Sequence, residues 1–376
     1  MQFTDIRFHK QLRSAWERMI TRNRFPHTVL LNGKGGYGTT FLALELAERL
    51  LCKDASCREK IYSFNHPDLH FVYPTVTLPK AGAETSSPFF AEQWQGFLKE
   101  QPFGDFNDWM NYLNAGNKQG IIRVKDAENI VQTAYKYPLL GENKVFIIWH
   151  AEKMNTGTAN KLLKVLEEPP GNTFFILTTD SPLQIIGTVR SRCVIFDVPP
   201  IRHEEMLPAL QDKGIAPARA EQFIQAANGD WNKLLRFIAD EDPFQRHKEY
   251  FVNWVRIAYL AKKKASAIND LKEWAEKMAG EPKNFQFDFL RFALEIIRRA
   301  YIRHFSDKVN FFDFSAQSFD PLKFAPYVHS GNIEDFYHAL TDAVYHLNRN
   351  AQPKPLFMDL SIRLTKLLHK KPLTAT

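Results

Sequence analysis

Residues 33–40 read GKGGYGTT, one residue after the apolar run TVLL (28–31) and directly before FLALELAERLLC (41–52). A short buried strand, a glycine-rich turn and then a helix form the setting of a phosphate-binding loop. The full pattern is G-x-x-x-x-G-K-[ST], in which backbone amides cradle phosphates and the lysine reaches the outer two. Gly33, Gly38 and Thr40 fall on that pattern, but Thr39 stands where the lysine belongs. The stretch therefore sets the fold class while putting its own chemistry in question.

Working outward, four more apolar runs resemble the one before the loop: 68–74, 144–150, 173–180 and 193–199. They are short, rich in β-branched and aromatic residues, and apolar on both faces, as parallel strands covered by helices on both sides are. Between them lie 41–51, 125–137 and 157–168, with helical spacing of Leu, Ile, Val and Ala. The last is closed by Pro169-Pro170, which cannot continue a helix. The alternation predicts a doubly wound parallel-sheet α/β domain over residues 1–200.

Residues 75–120 break the rhythm with loop residues and seven Phe and Trp. This stretch reads as an insertion, partly helical and amphipathic around 90–113. Either it packs on the main domain as a lid or satellite, or its aromatics meet a partner. Strand signals stop near residue 201. A small helical lid over 201–242 and a larger helical domain over 243–376 complete an α/β plus all-α chain.

The 376 residues carry a net charge of +7, with 44% hydrophobic and 24% charged residues. These are values of a globular, multidomain protein. The sequence shows no signal-peptide core and no run of the roughly 20 apolar residues that a membrane span needs. Three cysteines argue against a disulfide framework and for a reducing cytoplasm.

ATP hydrolysis on such a sheet needs the loop lysine, an acid ending a second strand to hold Mg²⁺, and a carboxylate to polarise water. Here the strand VFII (145–148) is followed by Trp149 and His150. An indole cannot bind Mg²⁺, and imidazole is a poor ligand for so hard an ion. Glu152 follows two positions on and is expected past the strand end, pointing elsewhere. Gly33, Gly35, Gly36 and Gly38 could still offer amides to a nucleotide. Other polar positions are kept. FFILTTD ends in Thr178, Thr179 and Asp180, and GTVRSRC (187–193) places Arg190 and Arg192 around a serine. An arginine's permanent charge and planar fork suit a γ-phosphate, including one held by a neighbouring subunit.

HPDLHFVYP (66–74), KVFIIWHAEKM (144–154), NKLLKVLEEPP (160–170), FFILTTDSPLQIIGTVRSRC (174–193) and AANGDWNKLL (226–235) occur in that order. Together they resemble the clamp-loader subunits of bacterial DNA polymerase III, an AAA+ family, and specifically the delta-prime group. The resemblance covers residues 15–240 with strong motifs and is only architectural beyond them. It implies an AAA+ domain, a lid and a helical collar at 243–376 that holds a ring of subunits. It also implies a non-catalytic subunit with no productively bound cofactor, the ATP being used by partner subunits. Arg192 of S-R-C would be an arginine finger acting in trans. Thr178 and Thr179 would be sensor-like, and Lys233 stands where catalytic relatives place a second sensor arginine. The implied partners are the gamma/tau ATPase and the delta subunit, with the sliding clamp and primed DNA met through the complex. The alternatives are a gamma/tau-like ATPase with unusual catalytic residues, or an interaction module of another DNA-maintenance complex.

Relatives of this kind often bind zinc through four cysteines after the first helix. Here only Cys52 and Cys57 remain, followed by His66 and His70. The expectation is two small core cysteines and two ordinary histidines, with no metal. Arg22 and Arg24, and Arg298, Arg299 and Arg303 on one helix, are candidate contacts to DNA phosphates, or else solvated surface.

Overall fold

The computed structural model describes residues 8–372 except 78–84, 117, 213, 240–243, 265, 307–308, 310, 313 and 350. It divides into two compact units, Met1–Ala239 and Asp240–Thr376.

The first unit begins with α1 (Lys10–Thr21), β1 (Thr28–Asn32), α2 (Thr39–Leu51), α3 (Ala55–Tyr62) and β2 (Leu69–Val72). It continues with α4 (Ala91–Glu100), α5 (Phe106–Tyr112), α6 (Val124–Ala134), β3 (Lys144–Ile148), α7 (Thr156–Glu167), β4 (Thr173–Thr179), α8 (Gly187–Arg190) and β5 (Val194–Asp197). All five expected strands are present and pair in parallel, in the order β2-β3-β4-β1-β5. This is the doubly wound parallel sheet that the sequence predicts, with β1 and β4 adjacent near its middle. Parallel strands all end at the same edge. The glycine loop after β1, the Trp149-His150 pair after β3 and the T-T-D end of β4 are therefore neighbours, although far apart in sequence.

Successive side chains of a strand point to opposite faces, and two separate cores result. Val29, Leu31, Val145, Ile147 and Ile176 face one core with α2 and the insertion residues Trp94, Phe97 and Trp109. Leu30, Phe146, Ile148, Phe175 and Leu177 face the other, with α6 and α7. The insertion forms α4 and α5 within the expected 90–113, and its large rings are inside: Trp94, Phe97, Phe103 and Trp109 are each at most 2% exposed. Phe89 alone of the seven is well exposed, at 58%.

The unit ends in α9 (His203–Gln211), α10 (Pro217–Ala227) and α11 (Trp231–Ala239). The second unit is helical: α12 (Gln245–Ala261), α13 (Ala267–Gly280), α14 (Lys283–Ile302), α15 (Pro321–Phe324), α16 (Ile333–Asn348) and α17 (Pro353–Leu368). Its core centres on Trp254 and Trp274, stacked at 5.0 Å, with the Trp254 indole N–H donated to the Ser361 hydroxyl at 2.8 Å. Among the described residues no helix is long and apolar enough to cross a membrane.

Candidate functional site

The glycine loop is closed on itself. Gly38 adopts φ +85°, a left-handed conformation that costs glycine nothing. The Tyr37 and Gly38 amides donate to the carbonyls of Lys34 (3.0 Å) and Gly35 (2.8 Å). Thr39, in the lysine position, donates its hydroxyl to the Lys34 carbonyl at 2.8 Å. Thr40, where a Mg²⁺-binding hydroxyl would be expected, accepts the indole N–H of Trp149 at 2.8 Å, both residues being buried. The two positions that would jointly hold a metal ion instead hold each other.

Protein also covers the outside of the loop. A Cβ on Gly35 would lie 2.6 Å from the Gly104 carbonyl, and one on Gly36 would fall on the Asp230 carboxylate. The Phe103 ring lies over Gly38. Phe103 also neighbours Phe41, Trp231 and Phe8, at 6.4, 6.2 and 6.4 Å between ring centroids. Three distant segments thus meet over the cradle: the chain before α1, the loop after α4 and the start of α11. These residues do not fit a nucleoside triphosphate with its metal. Thr39 stands in the lysine position, the Thr40 hydroxyl is taken, and a carboxylate sits against Gly36 of the cradle. Sequence reasoning missed Phe103, Gly104 and Asp230, because nothing local marks a residue that packs on a loop more than sixty positions away.

Beyond Trp149 the chain turns at His150, whose φ of +55° is left-handed. That turn corrects the expectation for Glu152. Its side chain is 1% exposed and points back toward the sheet, accepting from the Thr179 hydroxyl at 2.7 Å and pairing with His150 Nδ1 at 2.6 Å. Burial alone would raise the Glu152 carboxyl, but the bonds from His150 and Thr179 outweigh it and hold the group below the usual carboxylate range. Thr178 accepts the His150 backbone N–H at 3.1 Å. Both threonines of the T-T-D strand are therefore engaged inside the protein. Lys233 lies on α11, with its backbone N–H capped by Asp230 at 3.0 Å and its ammonium 5.6 Å from the Phe237 ring.

Arg192 follows the one-turn helix α8. Its Nε and Nη2 donate to Glu167 Oε2 at 2.8 and 2.6 Å, and its Nη1 donates to the Thr188 carbonyl at 2.9 Å. Its side chain is 28% exposed. Arg190 donates to the Pro182 carbonyl at 3.2 Å. Burial pushes the neighbouring Cys193 thiol up to about 12. In the second unit the arginine trio is split. Arg299 is buried, paired with Glu295 at 2.6 Å and lying 4.6 Å from the Phe312 ring, whereas Arg298 is exposed.

The cysteine expectation needs correcting. Cys52 and Cys57 are joined by a disulfide, and both are half-buried rather than in the core. His66 lies with them, its ring nitrogen and the two sulfurs within 4.8 Å of one another. His70 stands apart, its ring 4.8 Å from Phe146. With both sulfurs bonded to each other, this set does not fit tetrahedral zinc, which takes four donors, thiolates among them.

The sequence profile described as DNA polymerase III, delta subunit, matches residues 8–202. The delta-prime subunit of DNA polymerase III from Bacillus subtilis is 27% identical over 218 residues, 56% of this chain and 53% of that one. The tau subunit from Salmonella typhimurium is 26% identical over 240 residues, 62% of this chain and 32% of that one. The chain spans about half the length of the delta-prime relatives it matches. A gamma subunit-related protein of DNA polymerase III from Thermotoga maritima overlays with a TM-score of 0.40 and 14% identity, over 94% of this chain and 99% of that one.

Proposed function

The chain belongs to the DNA polymerase III delta-subunit family, and on that premise we propose that it is a non-catalytic, delta-prime-like subunit of a clamp loader. In this reading it assembles with gamma/tau-type ATPase and delta subunits. It contributes Arg192 to the active site of the adjacent ATPase while a sliding clamp is loaded on primed DNA.

One observation carries the reading: the indole of Trp149 bonded to Thr40, beneath a cradle covered by Phe103, Gly104 and Asp230. That arrangement supports a loop that takes no part in phosphate chemistry. Arg192 meanwhile stays accessible. An arginine delivered to a transferring phosphoryl group neutralises the charge that builds up there, and is worth about 10³–10⁵ in turnover where it has been isolated.

The test is a complex reconstituted from this chain and its ATPase and delta partners. Arg192→Ala is expected to assemble normally and to lower DNA- and clamp-stimulated turnover at the facing site by roughly a hundredfold or more. Unchanged turnover in an intact complex overturns the role. Magnesium-dependent turnover by the purified chain, lost in Thr40→Ala, would instead make it an ATPase in its own right.

A further inference from the structure

The L-E-E-P-P and S-R-C motifs meet in space. Glu167 is the last residue of α7, and its Oε2 accepts from both Nε and Nη2 of Arg192, 25 positions further along. The Thr188 carbonyl, on α8, accepts from Nη1. We propose that Glu167 is a positioning residue. It sets the Arg192 guanidinium, from a separate helix, in the orientation in which it meets a phosphate on a neighbouring subunit. This inference rests on the function proposed above.

A long side chain on a protein edge has many rotamers, and fixing one in advance removes that cost from the encounter. Guanidinium has five N–H donors in a rigid plane. Three are assigned here, one each from Nε, Nη1 and Nη2. Nη1 and Nη2 therefore each retain one N–H, enough for the paired contact that arginine makes with an oxyanion. Glu167 is held in turn by its place on α7, whose inner face is buried in the second core. The pair remains reachable, with side-chain exposures of 28% for Arg192 and 57% for Glu167. An exposed ion pair adds little to stability, so its removal changes the aim of the arginine rather than the fold.

The experiment uses the same reconstituted complex, with assembly checked for every variant. Glu167→Ala is expected to lower stimulated kcat about tenfold while leaving the KM for ATP in place, since a reacting group slightly out of position is costly. Glu167→Gln, which keeps an acceptor oxygen at the same reach, should restore most of the rate. In an Arg192→Ala background, Glu167→Ala should have no further effect. A normal kcat for Glu167→Ala beside a low one for Arg192→Ala overturns the positioning role and leaves the proposed function standing. So does an increase in rate, or a further loss in the Arg192→Ala background. Silence of Arg192→Ala removes the function itself, and the positioning role with it.

Discussion

His70 shows how a single residue can set a pH limit on this fold. Its Nε2 is buried without a hydrogen-bond partner. Burial first, and then the Lys144 charge, lower its pKa to about 4; Asp68 opposes them, while His66 and Lys136 add smaller pushes downward. In the unfolded chain the same imidazole titrates near 6.5. Between those values the unfolded state binds a proton that the folded state refuses. This part of the stability is therefore complete above about 6.5 and is lost as pH falls toward 4. His70→Phe is expected to flatten the dependence of the urea midpoint on pH across that window. Burial also depresses His66 and His9, so some slope should remain. A variant as acid-sensitive as the parent would remove His70 from the account. At this scale the sequence was a partial guide. It showed that Trp149 and His150 cannot replace Mg²⁺-binding acids, but not that Trp149 would bond Thr40. Nor did it show that a left-handed His150 would return Glu152 to the sheet, because a turn of that kind has no pattern of its own.

Among the elements, the insertion differs most from its sequence appearance. Its helical section was legible from apolar spacing, and α5 carries a capping box in which Asp105 and Asp108 exchange bonds with each other's backbone N–H. Asp108 has a second task. Its carboxylate also accepts from Asn232 at 2.7 Å and from Arg236, so α11 is tied to α5 by side chains on both. Asp108→Ala removes the reciprocal half of the box, the bond from the Asp105 backbone N–H, together with both bonds to α11, and leaves the Asp105 cap in place; each lost bond costs about 1 kcal/mol. Limited proteolysis should then cut in or beside α11 while the sheet stays protected. Cleavage indistinguishable from the parent would mean that packing of Trp231 alone holds that helix. Whether the aromatics faced a partner or a core could not be read from composition, since both settings select Phe and Trp. The open face of the sheet decided it.

For the whole molecule the informative division is between the two units. Each has its own buried core, the first on both faces of the sheet and the second around Trp254, Trp274, Phe289 and Phe357. A unit with a complete core folds independently. The fragment 1–239 is therefore expected to unfold in a single cooperative transition when followed by circular dichroism. The remainder, from 240 onward, should do the same as a helical protein. A fragment 1–239 that melts without cooperativity would show that its core depends on the rest of the chain.

What the sequence determined by itself was whatever depends on near neighbours: five strands from short apolar runs, the helices between them from apolar spacing, and the absent loop lysine from one letter at position 39. Tertiary structure decided which distant groups share a place. Parallel pairing brought three strand ends to one edge, packed Phe103 and Asp230 on the glycine loop, and set Glu167 against Arg192. The physical reason is range. Helix and strand preferences act over a few residues, whereas contacts between groups 25 to 200 positions apart exist only after the cores have closed and fixed which surfaces meet.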